Sequence, residues 1–193
     1  MSINTLNSSD ETCLCVRDGW LNLARRVASP NYNDRPNQDD INLLVIHNIS
    51  LPPEQFGGEY IEQFFCNQLD SSKHEYFQEI SAMKVSSHLL ITREGELIQF
   101  VPFDKRAWHA GTSCFERREN CNDFSIGIEL EGTDTVPFTP EQYFCLVEVT
   151  QALLKHFPLL HRDRIVGHSD IAPGRKTDPG EAFDWQRYRQ LLA

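Results

Sequence analysis

The 193-residue chain has no long hydrophobic run, no excess of positive charge and no surplus of residues that break or staple a fold. Its unbroken apolar stretches, such as Leu43–Ile46, are a handful of residues long. A membrane-spanning helix needs about 20. Eighteen lysines and arginines face 28 aspartates and glutamates, a net charge of −10. That balance argues against nucleic acid as a partner, because such binding begins with a basic patch. Ten glycines and ten prolines are too few for a collagen-like or low-complexity chain. The six cysteines (Cys13, Cys15, Cys66, Cys114, Cys121, Cys145) are irregularly spaced and form no CxxC. A chain of this length needs no disulfide staples, so free, reduced thiols are expected. The first 18 residues are polar and acidic and lack the basic and apolar segments of an export signal. A cytoplasmic protein is the expectation. No repeat, charge block or linker divides the chain, so residues 18–193 read as one domain behind an N-terminal extension over residues 1–17. No coiled-coil pattern is present, and a monomer is expected.

What is present is a regular alternation of short strands and helices. Ile41–His47 is an apolar, β-branched run ended by Pro52-Pro53, which reads as a buried strand delivering His47 at its carboxyl end. Gly58–Leu69 places Ile61, Phe64, Phe65 and Leu69 at helical spacing. Ser87–Thr92 and Leu97–Val101 flank Arg93-Glu94-Gly95-Glu96, a hairpin signal. Ser125–Glu131 alternates, with Ile126, Ile128 and Leu130 on one face and Ser125, Gly127, Glu129 and Glu131 on the other. Thr139-Pro140-Glu141-Gln142 is a capping box with proline at the first helical position, and Pro158 stops the helix it opens. Ile165-Val166 leads to His168 and a Pro/Gly-rich loop, and Asp184 caps a last helix carrying Trp185, Tyr188 and Leu191. Interleaved elements with a hairpin in the middle predict a single α/β domain with a mixed central sheet flanked by helices.

The chemistry-bearing residues are mostly histidines and carboxylates. His47 and His168 each follow a strand, and Asp178 closes the second loop before Pro179. Two imidazoles and a carboxylate are a common ligand set for a catalytic zinc with one open position. Without HExxH the signal from spacing alone is weak, and a lone histidine at a strand end is more often a satisfied structural residue. Glu129 has small neighbours, Ser125 and Gly127, that leave room for a ligand and suit it to general-base work; a solvated strand face is the plainer alternative. In an extended segment Lys176 projects with Asp178 and can meet negative charge on a tetrahedral intermediate, although a loop lysine is usually only solvated. Trp108-His109-Ala110-Gly111 reads either as a cleft wall or as a packed turn. His88 reads as a hydrogen-bonded core residue, and His74, His156 and His161 as surface residues.

Four segments carry a resemblance. Leu43–Gly58 (LLVIHNISLPPEQFGG), Val85–Gly111 (VSSHLLITREGELIQFVPFDKRAWHAG), Cys121–Asp134 (CNDFSIGIELEGTD) and Gly167–Gly180 (GHSDIAPGRKTDPG) are similar to the zinc-dependent N-acetylmuramoyl-L-alanine amidases. That family also contains phage-type lysozyme amidases and peptidoglycan recognition proteins, and the likeness runs from about Gly19 onward. It implies zinc at His47, His168 and Asp178, Glu129 as general base and Lys176 steadying the transition state. It also implies substrate contacts at Tyr76, Trp108, His109 and Arg175. The implied substrates are muropeptides with an anhydro sugar, cut during cell-wall recycling, which also holds down β-lactamase induction. A relative that binds peptidoglycan fragments without cutting them is the alternative, and such relatives have lost a metal ligand. Residues 1–16 have no counterpart in the family pattern, and Lys84 stands where that pattern has arginine.

Overall fold

The computed structural model describes residues 13–193; the extension expected over residues 1–17 falls mostly outside them. Its last part is built in: Val16–Arg17 pairs antiparallel with Trp20–Leu21, and Leu14 and Val16 pack against the core.

A six-stranded sheet organises the chain. Its strands are Arg25–Arg26 (β1), Leu43–Ile49 (β2), Leu89–Ile91 (β3), Leu97–Gln99 (β4), Ser125–Glu131 (β5) and Ile165–Gly167 (β6), in the order β6-β2-β5-β3-β4-β1. The β3–β4 hairpin pairs antiparallel and every other neighbour is parallel, so the sheet is mixed as the pattern predicts. The helices are Tyr60–Phe65 (α1), Glu75–Ile80 (α2), Pro140–His156 (α3), His168–Ile171 (α4) and Trp185–Leu192 (α5).

The two-residue period of the strands sorts the faces. Leu44, Ile46, Ile126, Ile128 and Leu130 point one way and pack under α3 and α5 through Tyr143, Leu146, Leu153 and Tyr188. Helix α3 begins with the capping box: Thr139 Oγ1 accepts from Gln142 N, and Gln142 Oε1 accepts from Thr139 N. Helix α5 buries Leu192, whereas Leu191 is 38% exposed; the last turn faces the core one residue later than the sequence spacing places it. On the opposite face Leu90, Ile98 and Phe100 meet Phe64 and Phe65 of α1 and Phe77 and Ile80 of α2. Helix α1 is shorter than Gly58–Leu69. Gly57 and Gly58 at φ +81° and +80° precede it, and Asn67 at φ 58° ends it in left-handed backbone.

Candidate active site

The second face of the sheet, at the carboxyl ends of the parallel strands β2, β5 and β6, gathers the polar residues. In open α/β sheets ligands bind outside these strand ends. Register puts His47 on β2 beside Glu129 on β5, and β6 pairs with β2 on its other side, so that His168, the next residue, arrives next to His47. The following loop brings back Asp178, whose carbonyl accepts from Ser169 N at 3.0 Å.

Three ligand-type atoms form a near-equilateral triangle. His47 Nδ1 and His168 Nδ1 are 2.9 Å apart, and each lies 3.0 Å from Asp178 Oδ2. Burial lowers His47 to a pKa of about 4, so its ring is neutral at physiological pH. His168 Nε2 stands 3.1 Å from the Ala110 carbonyl oxygen. A carbonyl only accepts, so in a neutral His168 ring Nε2 carries the proton and Nδ1 a lone pair. Two acceptors therefore face each other at 3.0 Å, which a cation between them resolves. Ligand atoms of a tetrahedral zinc, at about 2.0–2.1 Å from the metal, stand roughly 3.3 Å apart, a few tenths wider than this triangle. The residues fit a divalent cation with one position left open. Among the described residues no other group of three His, Cys, Asp or Glu side chains comes together in this way.

The triangle opens into a cleft of about 350 Å³, whose lining includes Pro53, Tyr76, Val85, Trp108, Glu129 and Lys176. Glu129 is 8% exposed, and among the described residues no hydrogen bond reaches its Oε2. Burial pushes its pKa well above the ordinary carboxylate range; the nearby Asp178 charge adds to the rise and Lys176 opposes it. The solvated-face alternative does not hold, because Glu131 is also buried, at 3%. Its two oxygens accept from Gly57 N and Arg93 N, tying the loop after β2 to the β3–β4 turn.

The remaining residues named from sequence fall as follows. Tyr76 sits in the first turn of α2, whose cap His74 accepts from Tyr76 N at 3.1 Å, and it lines the cleft. Trp108 lines it too, with its indole N–H donating to Asn33 Oδ1 at 2.7 Å. His109 is in the same wall, but both ring nitrogens meet protein: Nδ1 lies 2.9 Å from His47 Nε2 and Nε2 lies 3.2 Å from Ser125 Oγ. Burial, followed by the neighbouring imidazoles, pushes its pKa well below the ordinary value. The room beside Ser125 and Gly127, expected for a ligand, is filled by this ring. Arg175 is exposed, is not among the residues lining this cleft, and donates to the Ala110 and Thr112 carbonyls. Lys84 is exposed between Met83 and Val85, which line the cleft. Sequence reasoning missed Asn122, whose Oδ1 accepts from His109 N and Ala110 N; an asparagine serving backbone groups has no pattern to betray it.

Fold and site together define a hydrolytic enzyme whose cleft sets a buried carboxylate beside a candidate metal triangle. Residues 37–181 match the N-acetylmuramoyl-L-alanine amidase family model. The chain is 56% identical over 173 residues to the 1,6-anhydro-N-acetylmuramyl-L-alanine amidase AmpD of Haemophilus influenzae, covering 90% of this chain and 94% of that protein. It is 54% identical over 180 residues to AmpD of Escherichia coli K12, covering 93% and 98%. A crystal structure of a selenomethionine AmpD derivative superposes with a TM-score of 0.91 at 53% identity, covering 93% of this chain and all of that one. The chain belongs to the N-acetylmuramoyl-L-alanine amidase family and is an amidase of that kind.

Proposed function

We propose that the chain is a zinc enzyme that hydrolyses the lactyl amide between 1,6-anhydro-N-acetylmuramic acid and the L-alanine of a stem peptide. The reading of the centre rests on one observation: acceptor atoms of His47, His168 and Asp178 converge on a point with Glu129 in register beside them. His47, His168 and Asp178 hold the ion. When bound, zinc polarises the amide carbonyl and makes water a better nucleophile near neutral pH.

The rest is the work of side chains. Glu129 takes the proton of the attacking water and passes it to the departing alanine nitrogen. Its raised pKa makes it a ready proton acceptor only once positive charge is brought next to it, which couples the base to the loaded centre. The Lys176 ammonium faces the negative charge that grows on the carbonyl oxygen. Tyr76 and Trp108 give the cleft an aromatic wall against which the sugar or the peptide packs. The relatives' name supports the anhydro sugar as the preferred substrate and, with it, action in the cytoplasm on fragments from cell-wall turnover. Clearing them holds down the signal for β-lactamase induction.

The test is zinc content by elemental analysis, paired with hydrolysis of an anhydro-muropeptide before and after chelation. The expected result is equimolar zinc, with activity lost on chelation and restored by added zinc. A metal-free protein that binds the muropeptide and releases no peptide overturns the reading.

A further inference from the structure

We propose that the segment Trp108-His109-Ala110-Gly111 orients both metal-binding histidines, His109 by fixing the tautomer of His47 and the Ala110 carbonyl, clamped by Arg175, by fixing that of His168. The inference rests on His47, His168 and Asp178 being metal ligands. A histidine ligand is held by the partner of its other nitrogen, which sets the tautomer and the ring plane. Here the two outer nitrogens meet consecutive residues: His47 Nε2 meets His109 Nδ1 at 2.9 Å, and His168 Nε2 meets Ala110 O at 3.1 Å.

The two contacts differ in logic. The carbonyl can only accept, so it commits His168 by itself. Between two imidazoles either ring can donate, and only one polarity serves a metal. His47 donates from Nε2 to His109 Nδ1, and His109 donates from Nε2 to Ser125 Oγ, 3.2 Å away. This leaves a lone pair on His47 Nδ1. The opposite polarity places a proton on His47 Nδ1, inside the triangle, and blocks ligation. His109 is therefore a positioning residue that acts through His47.

The segment is fastened on every side. Asn122 Oδ1 accepts from His109 N at 3.1 Å and Ala110 N at 2.8 Å. Trp108 N donates to Ser86 Oγ and Trp108 O accepts from Ser86 N, both at 3.1 Å. Arg175 Nη2 donates to Ala110 O at 2.7 Å and to Thr112 O at 2.6 Å, drawing the acceptor carbonyl toward the loop that carries Asp178. Two glycines make room. A Cβ on Gly127 would stand 2.5 Å from His109 Cγ, and Gly111, at φ +58°, turns the chain beneath the Arg175 guanidinium.

The experiment uses the full chain and two readouts: the zinc dissociation constant, by competition with a chromophoric chelator, and the His47 tautomer in the metal-free protein, by long-range ¹H–¹⁵N correlation. Wild type is expected to show His47 protonated at Nε2. His109→Phe keeps the ring volume and removes the acceptor; zinc should bind roughly 10–100-fold more weakly and the Nε2–H signature should be lost. His109→Gln, which restores an acceptor oxygen, should recover most of the affinity. Arg175→Met should weaken zinc in the same direction by less. Unchanged affinity in His109→Phe, with wild type binding zinc, overturns this inference and leaves the metal centre standing. A wild-type chain that takes up no zinc overturns both. If His109→Phe fails to fold, the wild-type spectrum decides: an Nδ1–H tautomer of His47 overturns the proposal and an Nε2–H tautomer supports it.

Discussion

Two clusters of buried polar groups lie against the same β5 strand. Around Arg35, 4% exposed, each guanidinium nitrogen reaches a main-chain carbonyl. Nε reaches Phe103 O at 3.1 Å, Nη1 reaches Asn122 O and Asp123 O at 3.1 and 3.2 Å, and Nη2 reaches Ser125 O at 2.8 Å. His88 beside it accepts from Gly127 N at 3.1 Å and donates from Nε2 to Lys105 O at 3.1 Å. In the second cluster acceptors face acceptors across His47, His168 and Asp178, and Glu129 Oε2 has no partner among the described residues. His47 and His168, 1% and 3% exposed, are buried as deeply as Arg35. A satisfied buried network costs little and pins the fold, whereas an unsatisfied one is held by its surroundings and waits for a ligand. The contrast separates residues that hold the molecule from residues that do its chemistry.

The largest test of that contrast is Glu129→Gln. Loss of the base should lower kcat by about 10²–10⁴-fold, the usual worth of general acid–base catalysis. Stability should stay level or rise, because a buried carboxylate without a partner is replaced by a neutral amide. Turnover of anhydro-muropeptide and a urea midpoint on the same preparations check it. A variant that keeps normal turnover removes Glu129 from the mechanism, and one that loses stability and activity together erases the difference between the clusters.

Arg35→Met should do the reverse. It strands the carbonyls of Phe103, Asn122, Asp123 and Ser125 without their shared donor, and breaking such a buried charged network costs about 3–5 kcal/mol. Against a typical stability of roughly 5–15 kcal/mol that is a large fraction. Urea denaturation of the metal-loaded protein measures it. A loss below about 1 kcal/mol, the scale of one ordinary hydrogen bond, would mean that water replaces the guanidinium and that the cluster does not pin the fold.

The sequence carried the parts of this picture that have a period or a local rule. Strand β5 was legible because Ile126, Ile128 and Leu130 alternate with small and acidic residues, and α3 because Thr139, Pro140 and Gln142 satisfy its first turn. The hairpin was legible from Gly95 at φ +81°. His47, His168 and Asp178 were weak as isolated residues, since ligands 121 and 131 positions apart leave no spacing signal, and family likeness gave them weight. The segment around His109 could be read as a wall but not as a partner of His47, because that contact depends on β2 and β5 being neighbours. Arg35 drew no attention at all. A charged residue whose acceptors are main-chain carbonyls is indistinguishable from a surface arginine until the fold closes on it.

The smallest expected effect sharpens the contrast from the satisfied side. Burial, with the neighbouring Arg35 charge adding to it, holds His88 well below its ordinary pKa. The folded state then binds fewer protons than the unfolded chain, whose histidine titrates near pH 6.5. The stability tied to a neutral His88 is fully present above about pH 6.5 and is lost as pH falls below it, at no more than about 1.4 kcal/mol per pH unit. In His88→Gln this dependence is absent. Urea midpoints taken between pH 7.5 and 5.5 should therefore fall more steeply for wild type than for the variant, while kcat at pH 7.5 differs little between them. Equal slopes would show that His88 takes up its proton in the folded state as readily as in the unfolded one. The Arg35 cluster would then tolerate an unpaired charge, and complete pairing would cease to distinguish the structural cluster from the catalytic one.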